Sequence, residues 1–404
     1  MHILLIHQAF ASPGEAGGTR HYELAQRLIA QGHQFTVVTS RVSYMTGKQA
    51  TATTDGKGSG GIRVVRVAAL ASLHQSYVRR LLSFLSFMVS SAWTAWRVKD
   101  VDLVLGTSPP LFQAVSAWLV ARLKRKPFLL EIRDLWPEFA IECGVLRNRL
   151  LIRLARLLEG FLYARADHIL VNSPAYRDYL LDRGIEASKI SFLPNGVDTR
   201  MFNVEPTDNA VRNELGLCDE FVVMYAGALG LANDIDTILQ AANRLRDQPQ
   251  IYFVLVGDGK ERARLEQLRD RLGLSNVTFA GARSKGQMPR LLAAADACVA
   301  TLKDIPMFRT TYPNKVFDYM AAARPTLLAI DGVIRQVVEA AGGGIAVPPG
   351  DHAALAEAVR RLHRDREQAR AMGRAACQYV AAHFDRDQQA VQLAQLCNRL
   401  KKAA

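Results

Sequence analysis

A lysine and an aspartate three residues apart form the pair whose types and spacing point most directly to chemistry. They are Lys315 and Asp318, in the stretch YPNKVFDYMAAARP at residues 312–325. Apolar residues recur there at helical spacing, so both charges fall within one turn, on the same side of a predicted helix. A solvated ion pair is one interpretation of them. The other is a nucleoside diphosphate site, because a cation suits the phosphates, a carboxylate suits the ribose, and one helical pitch of about 5 Å separates the two.

The start of this helix adds candidates for the same ligand. Arg309, in the preceding loop, is a second cation, and Asn314 lies in the first turn. Backbone N–H groups at a helix N-terminus are unpaired and favour anions. These residues are therefore predicted to bind the nucleoside diphosphate part of a donor substrate. Lys315 is also a catalytic candidate, because a cation stabilises a departing diphosphate.

A second charged stretch follows a predicted buried strand. It is LLEIRDLWPEFAIECG, residues 129–144, with Glu131, Arg133, Asp134 and Glu138. Ligands of open α/β sheets bind beyond the carboxyl ends of the strands, which is where these charges fall. The sequence allows either an Arg–Asp pair that closes a loop or a catalytic role, in which Arg133 and Asp134 contact the reacting sugar or the acceptor.

Glycine turns follow the first strand of each half of the chain. Gly17 and Gly18 lie in AFASPGEAGGTRH, and Gly227 lies in YAGALG at the corresponding position of the second half. Glycine lets backbone N–H groups approach a phosphate or a sugar closely, so all three are predicted to bind the donor. The spacing is not GxGxxG, which argues against a nicotinamide cofactor.

No pattern predicts a metal site. Two DxD triplets occur, at 234–236 and 385–387, and the first is better explained as the start of a helix with an acidic first turn. The five cysteines are scattered without a CxxC pair, and the histidines show no HxxxH spacing. The cysteine pattern favours a reducing, cytoplasmic compartment.

Two series of short apolar runs, separated by helical patterns, must position these residues. The first begins with HILLIH and the second with FVVMYAG at residue 221. Alternation of this kind predicts an α/β protein with two doubly wound domains and a ligand cleft between them. We predict an N-terminal domain at 1–200, a second domain at 201–385, and a last helix at 386–404 that packs back on the N-terminal domain.

Charge narrows the class of partner. The 404 residues carry a net charge of +13, which favours an anionic ligand or surface. The sequence has no zinc-finger spacing, no aromatic RNA-binding strand and no long basic helix, so nucleic acid is not an expected partner.

Two apolar stretches with basic flanks interrupt the first series, at 77–100 and 146–166. The first has no charge between residues 81 and 96 and contains Trp93 and Trp96. A buried crossover helix is one interpretation. The other is a helix that lies on an anionic membrane surface, with tryptophan at the depth of the headgroups.

With these motifs together, the chain resembles the family 4 retaining glycosyltransferases of the GT-B fold. The resemblance spans nearly the whole length and depends on GEAGGTRH, PNGVD, YAGALG, VGDGKE and PNKVFDYMAAARPTLLAI. It implies two Rossmann-like domains that face each other across a cleft, with a C-terminal helix crossing back to the N-terminal domain. The domain at 1–200 would then bind the acceptor, and the domain at 201–385 would bind the nucleotide sugar. The resemblance also implies that Asp318 binds the donor ribose. Among family members the chain is similar to bacterial O-antigen and capsule enzymes, including fucosaminyl-type transferases.

The chain departs from the family pattern around the donor. Many relatives have a glutamate where this chain has Thr310, and a glutamate rather than Asp318 at the ribose. Many also carry arginine and lysine after the YAG-type glycine, near the places of Ala228 and Asn233 here. These differences shift the cationic role onto Lys315 and Arg309. The IRD segment replaces the histidine that the family has near the sugar site of the N-terminal domain. The residue that would act as catalytic base is therefore not assigned.

The favoured hypothesis is a metal-independent retaining transferase, peripheral on the cytoplasmic face of the inner membrane. It would move a sugar, of the N-acetylated amino or deoxy kind, from a UDP-sugar to a lipid-linked saccharide, with no cofactor beyond this co-substrate. One alternative is a UDP-sugar 2-epimerase of GT-B fold, and another is a non-catalytic scaffold that binds sugar nucleotide. The sugar, the acceptor and the linkage stay open.

Overall fold

A computed structural model describes residues 1–15, 17–42, 56–57, 60–70, 77–202 and 210–403. The chain divides into two compact units. The first unit comprises Met1–Ser12, Gly17–Pro194 and Asp387–Ala404, and the second comprises Pro13–Ala16 and Asn195–Arg386. The prediction had placed the division near residue 200.

An eight-stranded sheet with the order β3-β4-β2-β1-β5-β6-β7-β8 forms the centre of the first unit. Its strands are β1 His2–Ile6, β2 Gln34–Ser40, β3 Gly56–Lys57, β4 Arg63–Val67, β5 Leu103–Ser108, β6 Phe128–Ile132, β7 His168–Val171 and β8 Ile190–Phe192. All neighbours pair in parallel except β3 and β4. Runs of valine, isoleucine and leucine form β1, β5 and β6, which are buried along their length as parallel strands covered on both faces must be.

Among its described residues, this unit contains seven α-helices. They are α1 Arg20–Ala30, α2 Tyr77–Trp96, α3 Leu111–Lys124, α4 Glu138–Glu142, α5 Arg149–Arg165, α6 Pro174–Asp182 and, at the end of the chain, α15 Arg386–Ala403. Helix α15 packs Leu393, Leu396 and Cys397 into the same core as Ile3 and Leu5 of β1. Burial of this apolar stripe explains why the last helix packs on the first unit, although the rest of that unit ends some 200 residues earlier in the chain.

The second unit has a six-stranded parallel sheet with the order β11-β10-β9-β12-β13-β14. Its strands are β9 Phe221–Ala226, β10 Ile251–Val256, β11 Val277–Gly281, β12 Ala297–Thr301, β13 Thr326–Ala329 and β14 Gly344–Ala346. Its helices are α7 Ala210–Glu214, α8 Ile235–Asn243, α9 Arg262–Leu272, α10 Met288–Ala293, α11 Asn314–Ala321, α12 Val333–Ala340, α13 His352–Arg364 and α14 Arg366–His383. Strands alternate with helices along the chain, so both units are Rossmann-like α/β folds and the predicted class is confirmed.

Helix α2 combines features of both interpretations of the stretch at 77–100. Phe87, Ser91 and Ala95 are buried, and α2 packs against α3. Trp93 and Trp96 are 54% and 47% exposed, and Arg97 lies 4.3 Å from the centre of the Trp93 ring. The helix is therefore amphipathic, with one face in the core and the other in solvent. Within the described ranges, no helix is both long and apolar enough to cross a bilayer.

Candidate active site

Lys315 is a partly buried cation at the carboxyl edge of the second unit's sheet. Its Nζ donates to the hydroxyl of Tyr225 and to Oδ1 of Asn233, both at 2.9 Å, and lies 4.3 Å from the centre of the Tyr225 ring. Both acceptors are neutral, since burial raises the pKa of Tyr225 far above its ordinary value. Burial lowers the pKa of Lys315 to about 7. The amine is therefore held in place by neutral groups, and an anion that binds beside it would raise its pKa.

Gly227 lies directly against this lysine. A side-chain carbon at Gly227 would come within 3.0 Å of the Tyr225 hydroxyl and 3.3 Å of Lys315 Nζ. The backbone N–H of Gly227 donates to Val256 O at 2.9 Å, and a side chain at Gly257 would meet Gly227 O at 1.8 Å. Close approach of the turns after β9 and β10 therefore requires glycine at position 257, and a side chain at Gly227 would crowd the Tyr225 hydroxyl and the Lys315 amine. The structure brings Gly227 and Lys315 together, as one donor-binding cluster would require.

Asp318 has a different partner from the one its spacing suggested. Its Oδ1 accepts from Lys285 Nζ at 2.5 Å, and both side chains are largely buried. The interpretation of Lys315 and Asp318 as a solvated pair on one helical turn is therefore wrong: each of the two reaches toward a separate loop. Lys285, which the sequence analysis did not select, comes from the short 3-10 turn after β11.

The other two donor-side candidates lie near the ends of neighbouring elements. Asn314 is exposed at the first position of α11, and no side chain caps that N-terminus. Arg309 is about half exposed and pairs with Asp304 at 3.0 Å, so its charge is already matched on the surface. The contacts of Arg309 do not join it to the Lys315 cluster.

Gly17 and Gly18 lie in the loop between β1 and α1 of the first unit, and both are exposed. Gly17 has a φ of +145°, and a side chain there would meet the Ala11 methyl group at 3.1 Å. A side chain at Gly18 would meet nothing within 4 Å. The loop therefore needs glycine at the first position for its conformation and leaves open space at the second.

A buried charge cluster lies beneath this loop. Glu131 on β6 accepts from Arg20 Nε at 3.0 Å and pairs with His21 Nε2 at 2.5 Å. Arg20 also donates to the carbonyls of Leu193 and Pro194, which anchors α1 to the end of the unit. Burial alone would raise the pKa of Glu131, but His21 and Arg20 hold it well below its ordinary value. The carboxylate is therefore ionised and orients the two first residues of α1.

Several buried polar atoms near this cluster have no hydrogen-bond partner among the described residues. They are both ring nitrogens of His7, the side-chain amide of Gln8, Thr107 Oγ1 and Arg133 Nε. Thr107 on β5 pairs in register with Glu131 on β6, and the His7 ring lies 4.6 Å from that of His21. Burial keeps the pKa of His7 well below its ordinary value, so that ring is neutral. Buried polar atoms usually have partners, so this concentration suits a polyhydroxylated ligand.

Arg133 and Asp134 follow β6 at the same edge of the sheet. The Arg133 backbone N–H donates to Ser108 O at 3.0 Å, which fixes the turn to the end of β5. Burial raises the pKa of Asp134 to about 6, although the charge of Arg133 opposes the shift. A carboxyl group of this kind changes its protonation state close to neutral pH, which suits a group that exchanges protons with a ligand.

The aspartates of the first DxD triplet have structural partners. Asp234 accepts from Thr237 Oγ1 at 2.6 Å, and Asp236 pairs with Arg264 at 2.6 Å. Within the described part of the chain, no group of three or more His, Cys, Asp or Glu side chains is arranged to hold a metal ion.

Comparisons with known proteins agree with this architecture. Residues 16–196 match the family model of the glycosyl transferase 4-like domain, and residues 220–365 match that of the glycosyl transferases group 1. The chain belongs to the family 4 glycosyltransferases of the GT-B fold. The two matches fall on the two units, so the charge cluster around Glu131 lies in the 4-like domain and the Lys315 cluster lies in the group 1 domain.

The relatives of this glycosyltransferase include bacterial polysaccharide enzymes by name. It is 28% identical over 353 residues to the colanic acid biosynthesis glycosyl transferase WcaI of Escherichia coli, with 84% of this chain and 86% of that protein aligned. It is 32% identical over 148 residues to the lipopolysaccharide core biosynthesis glycosyltransferase LpsD of Rhizobium meliloti, which covers 36% of this chain and 40% of that one.

Among solved structures, the glycosyltransferase resembles Anabaena HepE in complex with UDP and glucose. The TM-score is 0.76 at 21% identity, over 98% of this chain and 99% of that chain. It also resembles sucrose-phosphate synthase of Thermosynechococcus elongatus, with a TM-score of 0.78 at 24% identity over the whole of both chains. These likenesses establish the GT-B fold.

Five partners in the glycosyltransferase's clusters were not selected from the sequence. Tyr225 and Asn233 bind Lys315, Lys285 binds Asp318, and Arg20 and His21 bind Glu131. Tyr225 is the penultimate residue of a buried strand and lies two residues before Gly227, so its hydroxyl at the carboxyl end of the strand was a usable signal. His21 directly follows the GGTR segment, and was discounted because single histidines are usually structural.

Proposed function

We propose that this glycosyltransferase transfers a sugar from a UDP-sugar to a lipid-linked saccharide, with retention of the anomeric configuration. The observation that carries the donor half is the Lys315 cluster. A partly buried lysine, held by two neutral groups and placed against the Gly227 turn, provides a cation that forms no ion pair with a carboxylate among the described residues. A diphosphate suits such a position, because charge–charge contacts with a phosphate are strong where water is largely excluded.

In this proposal Lys315 acts on the leaving group. As the glycosidic bond breaks, negative charge grows on the β-phosphate, and a preplaced cation stabilises that charge more than it stabilises the ground state. The uncapped N-terminus of α11, where Asn314 lies, would add backbone N–H groups to the same phosphates. Asp318 would accept hydrogen bonds from the ribose hydroxyls while its Oδ1 accepts one from Lys285. Gly17 and Gly18 would contribute backbone groups to the donor from the first unit, and Arg309 would have to leave Asp304 to take part.

The acceptor half of the proposal rests on the first unit. His7, Gln8 and Thr107 present buried polar atoms that a saccharide's hydroxyl groups could pair with, and Arg133 would add a cation that contacts the acceptor. Asp134, whose pKa is raised to about 6, would be ionised at neutral pH and could take the proton of the attacking hydroxyl. The buried Glu131 would instead position Arg20 and His21, since both of its oxygens are already bound.

The names of the relatives support a role in bacterial surface polysaccharide synthesis, and the resemblance to fucosaminyl-type enzymes supports an N-acetylated amino or deoxy sugar. The proposed acceptor of this role is a saccharide carried on lipid. The exposed apolar side chains Trp93 and Trp96 on α2, and Leu150, Leu154 and Leu157 on α5, favour peripheral binding to the cytoplasmic face of the inner membrane.

The test is transfer itself. The protein is incubated with a panel of UDP-sugars, with GDP- and ADP-sugars as controls, and with lipid extracts from a strain that lacks this gene. Mass spectrometry then identifies the sugar transferred, and the anomeric coupling constant in NMR spectra gives the stereochemistry. An epimerised donor without transfer, or donor binding without any reaction, would refute the proposal. Product with inverted configuration would refute only the retaining mechanism.

A further inference from the structure

An apolar pocket of about 480 Å³ lies within the first unit, between α2, α3, α4 and α5. Its lining includes Phe84 and Leu85 from α2, Phe112 from α3, Phe139 from α4 and Leu154 from α5. No charged or hydrogen-bonding side chain lines it apart from the indole of Trp136 and the thiol of Cys143. The volume is in the usual range for small-molecule sites, and the lining suits a ligand without polar groups.

The pocket adjoins the polar edge of the same sheet through two short chain connections. Trp136 lies two residues after Asp134, in the turn that leaves β6. Phe112 directly precedes Gln113, whose side chain accepts from Gln8 N at 2.7 Å and donates to Thr107 O at 2.8 Å. A ligand that filled the pocket could therefore extend from it toward the polar atoms of the candidate acceptor site.

One cation close in sequence to the pocket lining suits an anionic amphiphile. Arg133 precedes Trp136 by three residues, and its buried Nε has no hydrogen-bond partner among the described residues. A saccharide carried on lipid through a phosphate combines hydroxyl groups, a negative charge and hydrocarbon, and the unit has buried polar atoms, Arg133 and an apolar pocket to match each of them. A peptide would leave its backbone groups unpaired in such a lining, and a free sugar would leave its hydroxyl groups unpaired.

We infer that this apolar pocket binds the hydrocarbon tail of the acceptor, with the linking phosphate next to Arg133. The inference rests on the proposed function, because it assigns a place to the lipid of the proposed acceptor. Tail binding would orient the saccharide toward the donor and would discriminate lipid-linked acceptors from free oligosaccharides.

Alkyl phosphates from octyl to tetradecyl test the pocket without any chemistry. Each is titrated below its critical micelle concentration into the intact protein by isothermal calorimetry, with no membrane present. Affinity should rise about fourfold for each added methylene until the pocket is full, because each buried methylene contributes a constant increment. Affinity that does not depend on chain length, or binding that requires liposomes, would overturn the inference.

Variants locate the binding. Ala140→Phe and Cys143→Phe each place a ring in the pocket and should weaken dodecyl phosphate at least tenfold, with UDP affinity unchanged. Val89→Phe is the matched control, because Val89 is 65% exposed on α2 and does not line the pocket. Two filling variants guard against loss of folding in one of them. If both bind dodecyl phosphate as tightly as Val89→Phe does, the pocket is not the site.

The outcomes also separate this inference from the proposed function. Chain-length-dependent binding that the filling variants abolish, in a protein that transfers no sugar to any lipid-linked acceptor, would refute the proposed function and leave the pocket assigned. Transfer to lipid-linked acceptors with the same KM in Ala140→Phe and in the unmodified protein would refute the pocket and leave the function.

Discussion

The protonation state of Lys315 should control donor binding. Burial lowers the pKa of this lysine to about 7 in the free protein. Above that pH the free amine is largely neutral, whereas a bound diphosphate favours the ammonium form and raises the pKa of the lysine in the complex. UDP binding should therefore take up a proton, and the apparent affinity should fall as pH rises from 7 toward the pKa of the complex.

The size of the effect follows from the fraction of protein that carries the charge. If only the ammonium form binds, the apparent Kd is the intrinsic Kd divided by the protonated fraction, so affinity should fall roughly 16-fold between pH 7.0 and 8.5. Proton uptake should rise from about half a proton per UDP at the lower pH to nearly one at the higher. The second ionisation of a terminal phosphate lies near pH 6, so it contributes little in this range.

Calorimetric titrations with UDP in HEPES and in Tris buffers, which differ in ionisation enthalpy, measure both the affinity and the proton uptake. Lys315→Ala should lose about 1.5–3 kcal/mol of binding free energy at pH 7, the value of a charged hydrogen-bonded contact, and should show no pH dependence. Lys315→Arg keeps the charge at every pH in this range, so its affinity should also be independent of pH. The reasoning fails if the unmodified protein and Lys315→Ala lose affinity in parallel as pH rises, or if neither takes up a proton.

Three further outcomes are expected. Asp318→Asn should weaken UDP binding about tenfold or more, and binding of inorganic diphosphate less, because the change removes a ribose contact. Equal UDP affinity of the variant and the unmodified protein in calorimetry would contradict this. Activity should survive EDTA, since cationic side chains and helix N-termini would neutralise the diphosphate. A loss of activity that Mn²⁺ reverses in the unmodified protein, but not in the variant with both Asp234→Asn and Asp236→Asn, would show a metal site. Trp93→Ser with Trp96→Ser should release the protein from anionic liposomes in sedimentation at low salt without lowering its melting temperature, because both rings are about half exposed; a double variant that melts far lower and sediments unchanged would refute membrane contact through α2.

The strands could be predicted because buried parallel strands have a strong sequence signal. β1 and β9 begin at the predicted residues, and each ends one residue earlier than predicted. The shortest strands, β3, β8 and β14, have two or three residues each. Segments this short hold too few apolar residues for a periodic pattern, and pairing with an already formed sheet defines them.

The candidate site was less predictable because its contacts join distant parts of the chain. Lys315 and Tyr225 are 90 residues apart, and Arg20 and Glu131 are 111 residues apart. Helical spacing placed Lys315 and Asp318 on one turn, but it could not show that Lys285 from another loop would bind Asp318. Sequence spacing therefore selected Lys315 and Asp318 as candidates but could not select their partners.

The partners decide which of two nearby lysines can serve a phosphate. Lys285 is bound to a carboxylate at 2.5 Å, so its charge is already neutralised and an anion would have to compete with Asp318 for it. Lys315 is bound to a hydroxyl and an amide oxygen, which orient the amine and leave its charge uncompensated. Desolvation without compensation is also what lowers its pKa to about 7. The same arrangement thus makes Lys315 the weaker base and the better partner for a diphosphate, because the energy lost on burying the ammonium group is recovered when the anion binds.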